Sequence, residues 1–119
     1  MDRLYGKAYA KEVFFRLAEL DREFNELIQE IPYDRFWSRP ELSIRDKSLV
    51  TIAALVATGR EEQTRIHMRG FLKAGGTYNE LRNAIIHLAV YCGFPAAMNA
   101  FAALKGIPDP RGKSRRARA

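Results

Sequence analysis

The sequence predicts an all-α protein. Apolar residues recur at spacings of three and four along most of the chain, which is the period of an amphipathic helix. Capping residues, glycines and prolines divide this pattern into segments of helix length. No segment alternates apolar and polar residues in the way that a half-buried strand does. We therefore expect a compact bundle of several helices.

The first predicted helix covers residues 8–30, which are rich in Leu, Phe, Ala, Glu and Arg. Its apolar positions follow helical spacing, and they are Val13, Phe14, Leu17, Leu20, Phe24, Leu27 and Ile28. Because a residue before proline is disfavoured in helical conformation, we expect the helix to end at Ile31, before Pro32. Residues 33–39 are then expected to form a short aromatic turn that Pro40 closes.

The second predicted helix begins after Ser43, which resembles the first residue of a capping box, with Asp46 in place of the usual Glu. The apolar residues that follow are Leu49, Ile52, Ala53, Leu55 and Val56. Gly59 is expected to end this helix, since glycine is the residue most often found just past a helix C-terminus.

The third predicted helix begins with Glu61 and Glu62, because the helix dipole stabilises negative charges in the first turn. Gly75 and Gly76 are expected to end it. One stripe of the helix is expected to face the core, and it contains Gln63, Ile66, His67, Gly70, Phe71 and Ala74. This stripe places the titratable imidazole of His67 on a buried face.

The fourth predicted helix starts at a capping box formed by Thr77 and Glu80 and runs to about Tyr91. A break at residues 93–95 separates it from a last helix, residues 96–105, which is rich in alanine. The fourth helix is apolar on both sides, with Leu81, Ile85 and Leu88 on one and Ile86, Val90 and Tyr91 on the other. A chain this short cannot easily cover both sides, so we expect a homo-oligomer.

Length and charge indicate one domain over residues 1–107 and a basic tail over residues 108–119. The chain carries a net charge of +6, and five of these positive charges lie in the tail, which has no acidic residue after residue 110. The folded part is therefore almost neutral. We do not expect it to bind nucleic acid, and any attraction to phosphates would belong to the tail.

Several function classes are excluded by the residues present. Cys92 is the only cysteine, so an intrachain disulfide or a thiolate zinc site cannot form. The two histidines are twenty residues apart without a nearby ligand cluster, and there is no glycine-rich phosphate loop, so no metal or cofactor is expected. No apolar run approaches the roughly 20 residues that span a membrane, and there is no signal-peptide core. We expect a cytoplasmic protein.

Four segments carry a family resemblance: residues 33–55, residues 59–67, the helix start at residues 75–80, and residues 87–97. In order and spacing they resemble the γ-carboxymuconolactone decarboxylase family over about residues 20–105. The resemblance implies a helical subunit that assembles into trimers or hexamers, with active sites near the subunit contacts. It also implies cofactor-free decarboxylation of 4-carboxymuconolactone to an enol-lactone, a step of aromatic-compound degradation.

The same superfamily contains alkyl hydroperoxidase D-like proteins, which share a Cys-x-x-Cys-x-x-x-His motif. The positions that match the two cysteines are Arg60 and Gln63 in this chain, while His67 matches the histidine. The thiol pair is absent and Cys92 has no resolving partner. Disulfide-based peroxidase chemistry is therefore excluded.

Decarboxylation of a conjugated lactone acid requires that the protein bind carboxylates, stabilise an oxyanion and return a proton to carbon. An imidazole suits the last task, so His67 is the predicted general acid, oriented by Glu62 or Glu61. Helical geometry does not favour this pairing, because side chains on a helix meet when they are three or four residues apart. Glu62 lies five residues before His67, whereas Gln63 lies four residues before it. A carboxylate partner from elsewhere in the fold remains an alternative, as does a simple helix-start role for both glutamates.

Arginine binds carboxylates through its planar fork, and Arg45 matches a recurrent basic position of the family. It is the first predicted substrate-binding residue, with a solvated helix-start arginine as the alternative. His87 is predicted to face the same cavity, unless it only satisfies a backbone group. Arg39 and Trp37 are predicted to close the mouth of the site.

Two other functions remain open at this level. The chain could be a relative that carries out another small-molecule reaction without thiols. It could also be a non-enzymatic oligomer that binds a ligand or partner, with the basic tail as the point of contact.

Overall fold

The computed structural model describes residue 16 and residues 19–108, and within these it contains helices and no strand. Between Arg22 and Lys105, five α-helices and one π-helical segment follow one another: α1 Arg22–Ile28, the π-helical segment Gln29–Trp37, α2 Ile44–Ala57, α3 Glu61–Lys73, α4 Tyr78–Cys92 and α5 Phe94–Lys105. The prediction of an all-α fold is confirmed. The chain divides into two compact units, a first unit Met1–Lys47 and a second unit Ser48–Ala119.

The described part of the first unit is built on α1 and the π-helical segment. Asp21 caps α1, since its carboxylate accepts a 2.9 Å hydrogen bond from the backbone N–H of Phe24. The helix then continues as a π-helix that contains Pro32. The predicted end at Ile31 was therefore wrong, because the wider π-helical turn tolerates the proline ring that an α-helix would exclude. Asp21 has an extended backbone, with a φ of −170°, so the predicted helix over residues 8–30 is interrupted there. Residues 8–15, 17 and 18 of that predicted helix lie outside the described residues.

Helix α2 begins where the sequence predicted. The Ser43 hydroxyl accepts a 3.0 Å hydrogen bond from the backbone N–H of Asp46. At the other end Gly59 adopts a φ of 72°, and the N–H of Arg60 reaches back to the carbonyl of Leu55 at 2.9 Å. This left-handed turn satisfies the last carbonyls of the helix and reverses the chain toward α3.

The turn between α3 and α4 also ends its helix with a glycine of positive φ and a backbone hydrogen bond to the last turn. Gly75 has a φ of 103°, and the N–H of Gly76 bonds to the carbonyl of Phe71 at 2.9 Å. A Cβ at Gly76 would lie only 2.2 Å from the Phe71 ring, so the close packing of this turn requires glycine. Thr77 and Glu80 then form both hydrogen bonds of the predicted capping box, each 2.9 Å long.

Helix α4 ends at Cys92, and Gly93 with a φ of 95° separates it from α5. The last helix starts at Phe94, two residues before the predicted start, because Pro95 fits the first turn of a helix. Within the described residues, none of the helices is long and apolar enough to cross a membrane.

The core lies in the second unit, where α5 packs against both α3 and α4. Its buried apolar side chains are Ile52, Val56, Met68, Phe71, Leu81, Ile85, Ala97, Ala100, Ala103, Leu104 and Ile107. Met98 on α5 is not part of this core, since it is 69% exposed. The small residues of α5 supply the close contact instead, since alanines allow two helix backbones to approach.

The buried face of α3 is rotated by about one residue from the predicted stripe. Phe71 and Gly70 are buried as expected, but Gln63 is exposed and Thr64 and Met68 are buried. Thr64 can be buried because its hydroxyl donates to the carbonyl of Arg60 at 2.6 Å.

Candidate functional site

His67 lies in the middle of α3, at the edge of the buried face. Its Nδ1 atom is fully buried, and Thr64 and Phe71, about one turn away on either side, belong to the buried face. Burial disfavours the charged imidazolium and lowers the pKa of His67 from 6.5 to about 4. At neutral pH the ring is therefore uncharged.

A neutral imidazole can donate or accept a hydrogen bond, but the general acid in this reaction is the charged imidazolium form of the ring. The predicted general-acid role of His67 thus requires a nearby negative charge that raises the pKa of the ring again. Glu61 and Glu62 lie in the exposed first turn of α3, in agreement with their predicted position at the helix start. Their role in orienting His67 stays a prediction.

His87 lies on the outer side of α4. Its side chain is exposed and its ring packs against Tyr91, with centroids 5.4 Å apart. Val90 and Tyr91 beside it are 77% and 76% exposed. The structure thus places His87 on an apolar outer surface of the second unit, and its role in substrate binding stays a prediction.

Arg45 lies in the first turn of α2 and belongs to the first unit. Its Nη1 atom donates to the carboxylate of Asp46 at 3.0 Å, and both side chains are at least one-third exposed. An ion pair at that exposure is weak. The predicted binding of a substrate carboxylate by Arg45 stays a prediction.

A cavity of about 390 Å³ lies within the first unit, and we call it the first-unit pocket. It is lined by Tyr33, Asp34, Trp37, Ser38, Arg39, Pro40, Leu42, Ser43, Ile44 and Lys47. Trp37 and Arg39, which were predicted together to close the mouth of the site, both line this pocket. Their role in closing the site stays a prediction. The ring of Tyr33 stacks on that of Trp37 with a centroid distance of 6.1 Å, and burial raises the pKa of Tyr33 to about 12.

Lys47 is a residue of this pocket that was not predicted from the sequence. Its ammonium donates to the carbonyl of Trp37 at 2.6 Å and to the carbonyl of Arg39. A cation at these carbonyls stabilises the C-terminal end of the π-helical segment and the loop after it. Side chains of a helix point back toward its N-terminus, so Lys47, one turn after Ser43, can reach the loop before α2. Its partners are backbone carbonyls and leave no signal in the sequence.

A second cavity, of about 200 Å³, lies in the second unit where α2 ends and α3 begins. Its lining includes Arg60, Thr64 and Asn99, with Ala96 and Ala100 from α5. Arg60 and Asn99 were not assigned a role from the sequence, although the position of Arg60 directly after Gly59 marks the start of α3. Among the described residues no three His, Cys, Asp or Glu side chains come together as a metal site would require.

Comparison with known proteins relates this geometry to a family. Residues 22–106, which contain helices α1 to α5, match the model of the carboxymuconolactone decarboxylase family. A 4-carboxymuconolactone decarboxylase of Acinetobacter baylyi is 36% identical over 92 residues, which are 77% of this chain and 69% of that protein. Nitrosuccinic acid decarboxylase npaB of Metarhizium robertsii is 32% identical over 95 residues, which are 80% of this chain and 66% of that protein. The chain thus spans about two thirds of each relative.

Proposed function

The chain belongs to the carboxymuconolactone decarboxylase family, and from this premise we propose that it removes CO2 from a small carboxylated lactone or a related acid. The observation that carries the proposal is His67, a largely buried imidazole within the matched region. Two relatives with decarboxylase names support the reaction class, and a place in aromatic-compound degradation remains part of the proposal.

The two acids in the names of the relatives share a chemical feature that indicates the substrate class. Each is a dicarboxylic acid with an electron acceptor, a conjugated lactone carbonyl in one and a nitro group in the other. When the carbon–carbon bond to one carboxylate breaks, CO2 leaves and the electron pair moves onto an acceptor oxygen. No electron-accepting cofactor is needed, so the protein has to bind the acid, stabilise the oxyanion and supply a proton.

His67 supplies the proton in this proposal. The ring is neutral in the empty protein because burial lowers its pKa to about 4. A bound dianion would stabilise the imidazolium and raise that pKa, so the ring takes up a proton with the substrate. After CO2 has left, the imidazolium protonates the carbanion carbon, and the ring is neutral again.

The other predicted residues keep narrower roles. Arg45 binds a substrate carboxylate, since an arginine fork matches a carboxylate and its exposed pair with Asp46 is weak. Glu62 orients or charges His67, and His87 contributes to substrate binding from the outer side of α4. Each of these roles can be tested by a substitution of that residue alone.

We further propose that the protein acts as a homo-oligomer, a trimer or a hexamer as the family resemblance implies. The support is an exposed apolar set at the end of α4 and the start of α5, namely Ile86, Val90, Tyr91, Phe94 and Met98. Exposed apolar residues in such number are typical of surfaces that another subunit covers. Sedimentation equilibrium is the test, and a stable 13.6 kDa species would overturn the proposal.

The reaction is tested with purified protein and two candidate substrates, 4-carboxymuconolactone and nitrosuccinate, by ultraviolet absorbance and CO2 release. We expect turnover of at least one acid, and we expect His67→Gln to lower kcat by about 10²- to 10⁴-fold because a general acid is lost. Arg45→Gln should raise KM, while Arg82→Gln on an exposed part of α4 serves as the control. Full activity of a folded His67→Gln protein would contradict the assignment, and the absence of CO2 release from both acids would contradict the proposed substrates.

A further inference from the structure

We propose that the first-unit pocket binds a small planar organic acid that carries one negative charge. This inference gives Trp37 and Arg39 a ligand of their own in place of the predicted role at the mouth of the site, and it does not depend on the proposed decarboxylation because it requires no turnover. The family comparisons name no ligand for these residues.

The size and walls of the pocket indicate a ring-sized ligand. A volume of about 390 Å³ lies at the lower end of the roughly 300–1,000 Å³ typical of small-molecule sites. The stacked rings of Tyr33 and Trp37 form one wall element, and Pro40, Leu42 and Ile44 add apolar surface. Flat aromatic and apolar walls of this kind favour a planar molecule.

The charges of the lining indicate the sign of the ligand. Two cations, Arg39 and Lys47, and one acid, Asp34, belong to the lining, so the lining carries one net positive charge. The carboxylate of Glu41, which lies near Arg39, is exposed and is not part of the lining. The phenol of Tyr33 is neutral at physiological pH, and burial raises its pKa further, to about 12. A ligand with a single carboxylate would therefore balance the pocket.

Arg39 is the residue best suited to hold that carboxylate. Its Nε atom lies 3.7 Å from the Glu41 carboxylate, and the two side chains are 66% and 70% exposed. Such an exposed pair contributes little, so the guanidinium can turn to a carboxylate in the pocket, which it would bind through two hydrogen bonds. Lys47 has a different task, because its ammonium holds the carbonyls of Trp37 and Arg39 and thus fixes the wall.

Trp37 makes the test direct, since it is the only tryptophan of the chain and it lines the pocket. The full-length protein is titrated with benzoate while Trp37 fluorescence is recorded. Benzyl alcohol, which has the ring without the charge, and acetate, which has the charge without the ring, are titrated in parallel. We expect saturable binding of benzoate and at least tenfold weaker binding of the other two probes.

Three variants locate the site. Arg39→Gln should weaken benzoate binding about tenfold, whereas Arg35→Gln should leave it unchanged, because Arg35 lies on the same π-helical segment but outside the lining. His67→Gln should also bind benzoate as the wild type does, which separates this pocket from the proposed reaction. Circular dichroism establishes that each variant keeps its helix content.

Several results would overturn the proposal. One is a fluorescence change that does not saturate with benzoate, and another is equal binding of benzoate and benzyl alcohol. Equal effects of Arg39→Gln and Arg35→Gln would show that Arg39 does not hold the acid. Loss of benzoate binding in His67→Gln would place the ligand at the histidine instead.

Discussion

The two units use their apolar side chains in different ways. In the second unit they fill an interior, where Phe71, Met68, Leu81 and Ile85 are completely buried. Among residues 19–47 of the first unit no residue reaches full burial, and aromatic side chains line a cavity instead. The conformation of the second unit is therefore determined by its own core, whereas the described part of the first unit is organised around a pocket.

The largest expected effect tests this difference directly. Phe71→Ala should lower the free energy of unfolding by about 3–5 kcal/mol, because it leaves a cavity in a close-packed core. Phe36→Ala is the matched change in the first unit, and it should cost less than about 0.5 kcal/mol because Phe36 is 58% exposed. Urea unfolding monitored by circular dichroism measures both. A comparable loss from Phe36→Ala would show that the first unit depends on packing as much as the second.

A loss of stability at low pH is the next largest effect that we expect, and it comes from the buried imidazole of His67 in the second unit. The pKa of His67 is about 4 in the folded protein and near 6.5 in the unfolded chain, so the unfolded chain binds more protons between these values. The protein should therefore lose about 3 kcal/mol of stability as the pH falls from 6.5 to 4. Unfolding free energies measured across this range provide the test.

His67→Leu should remove this pH dependence, because leucine has nothing to protonate. Gln63→Ala is the control on the same helix, since Gln63 is exposed and does not titrate, and it should keep the wild-type profile. If the His67→Leu protein loses stability over the same pH range as the wild type, the burial of His67 is not the cause.

The helix ends of the second unit could be predicted from the sequence because their signals are local. Gly59, Gly75 and Gly93 each adopt the positive φ that a helix-ending glycine permits, and Thr77 forms its capping box with Glu80. Each of these signals lies within a few residues of the structure it determines. No knowledge of the tertiary packing was needed.

Features that depend on packing could not be predicted in the same way. The face of α3 that is buried is chosen by its contact with α5, so Thr64 and Met68 replaced Gln63 in the interior. The sequence predicts a helix end before Pro32, because a proline in the sequence does not show whether a π-helical turn will accommodate it.

The candidate sites also combine features that the sequence predicts with features that depend on the packing of the folded chain. The burial of His67 followed from its helical stripe, but its lowered pKa required the surrounding structure. Trp37 and Arg39 were recognised as candidates, yet the pocket that joins them also depends on Lys47. The partners of Lys47 are backbone carbonyls, which no side-chain pattern in the sequence identifies.

The smallest expected effect comes from two helix caps that have nearly the same geometry in the two units. The cap hydrogen bonds of Thr77 and Asp21 are each 2.9 Å long. Thr77→Ala should cost about 1 kcal/mol of global stability, because α4 carries Leu81 and Ile85 of the core and cannot unravel alone. Asp21→Ala should change global stability by less than about 0.5 kcal/mol, since α1 has seven residues and none is buried, so its loss is local.

Hydrogen exchange separates these two outcomes. In Thr77→Ala the slowest amides of α4 and α5 should exchange faster, as expected when the globally unfolded state becomes more populated. In Asp21→Ala only the amides of α1 should change. Faster exchange of the α4 amides in Asp21→Ala would mean that the first unit unfolds together with the core, and the contrast between the two units would then describe their packing but not their stability.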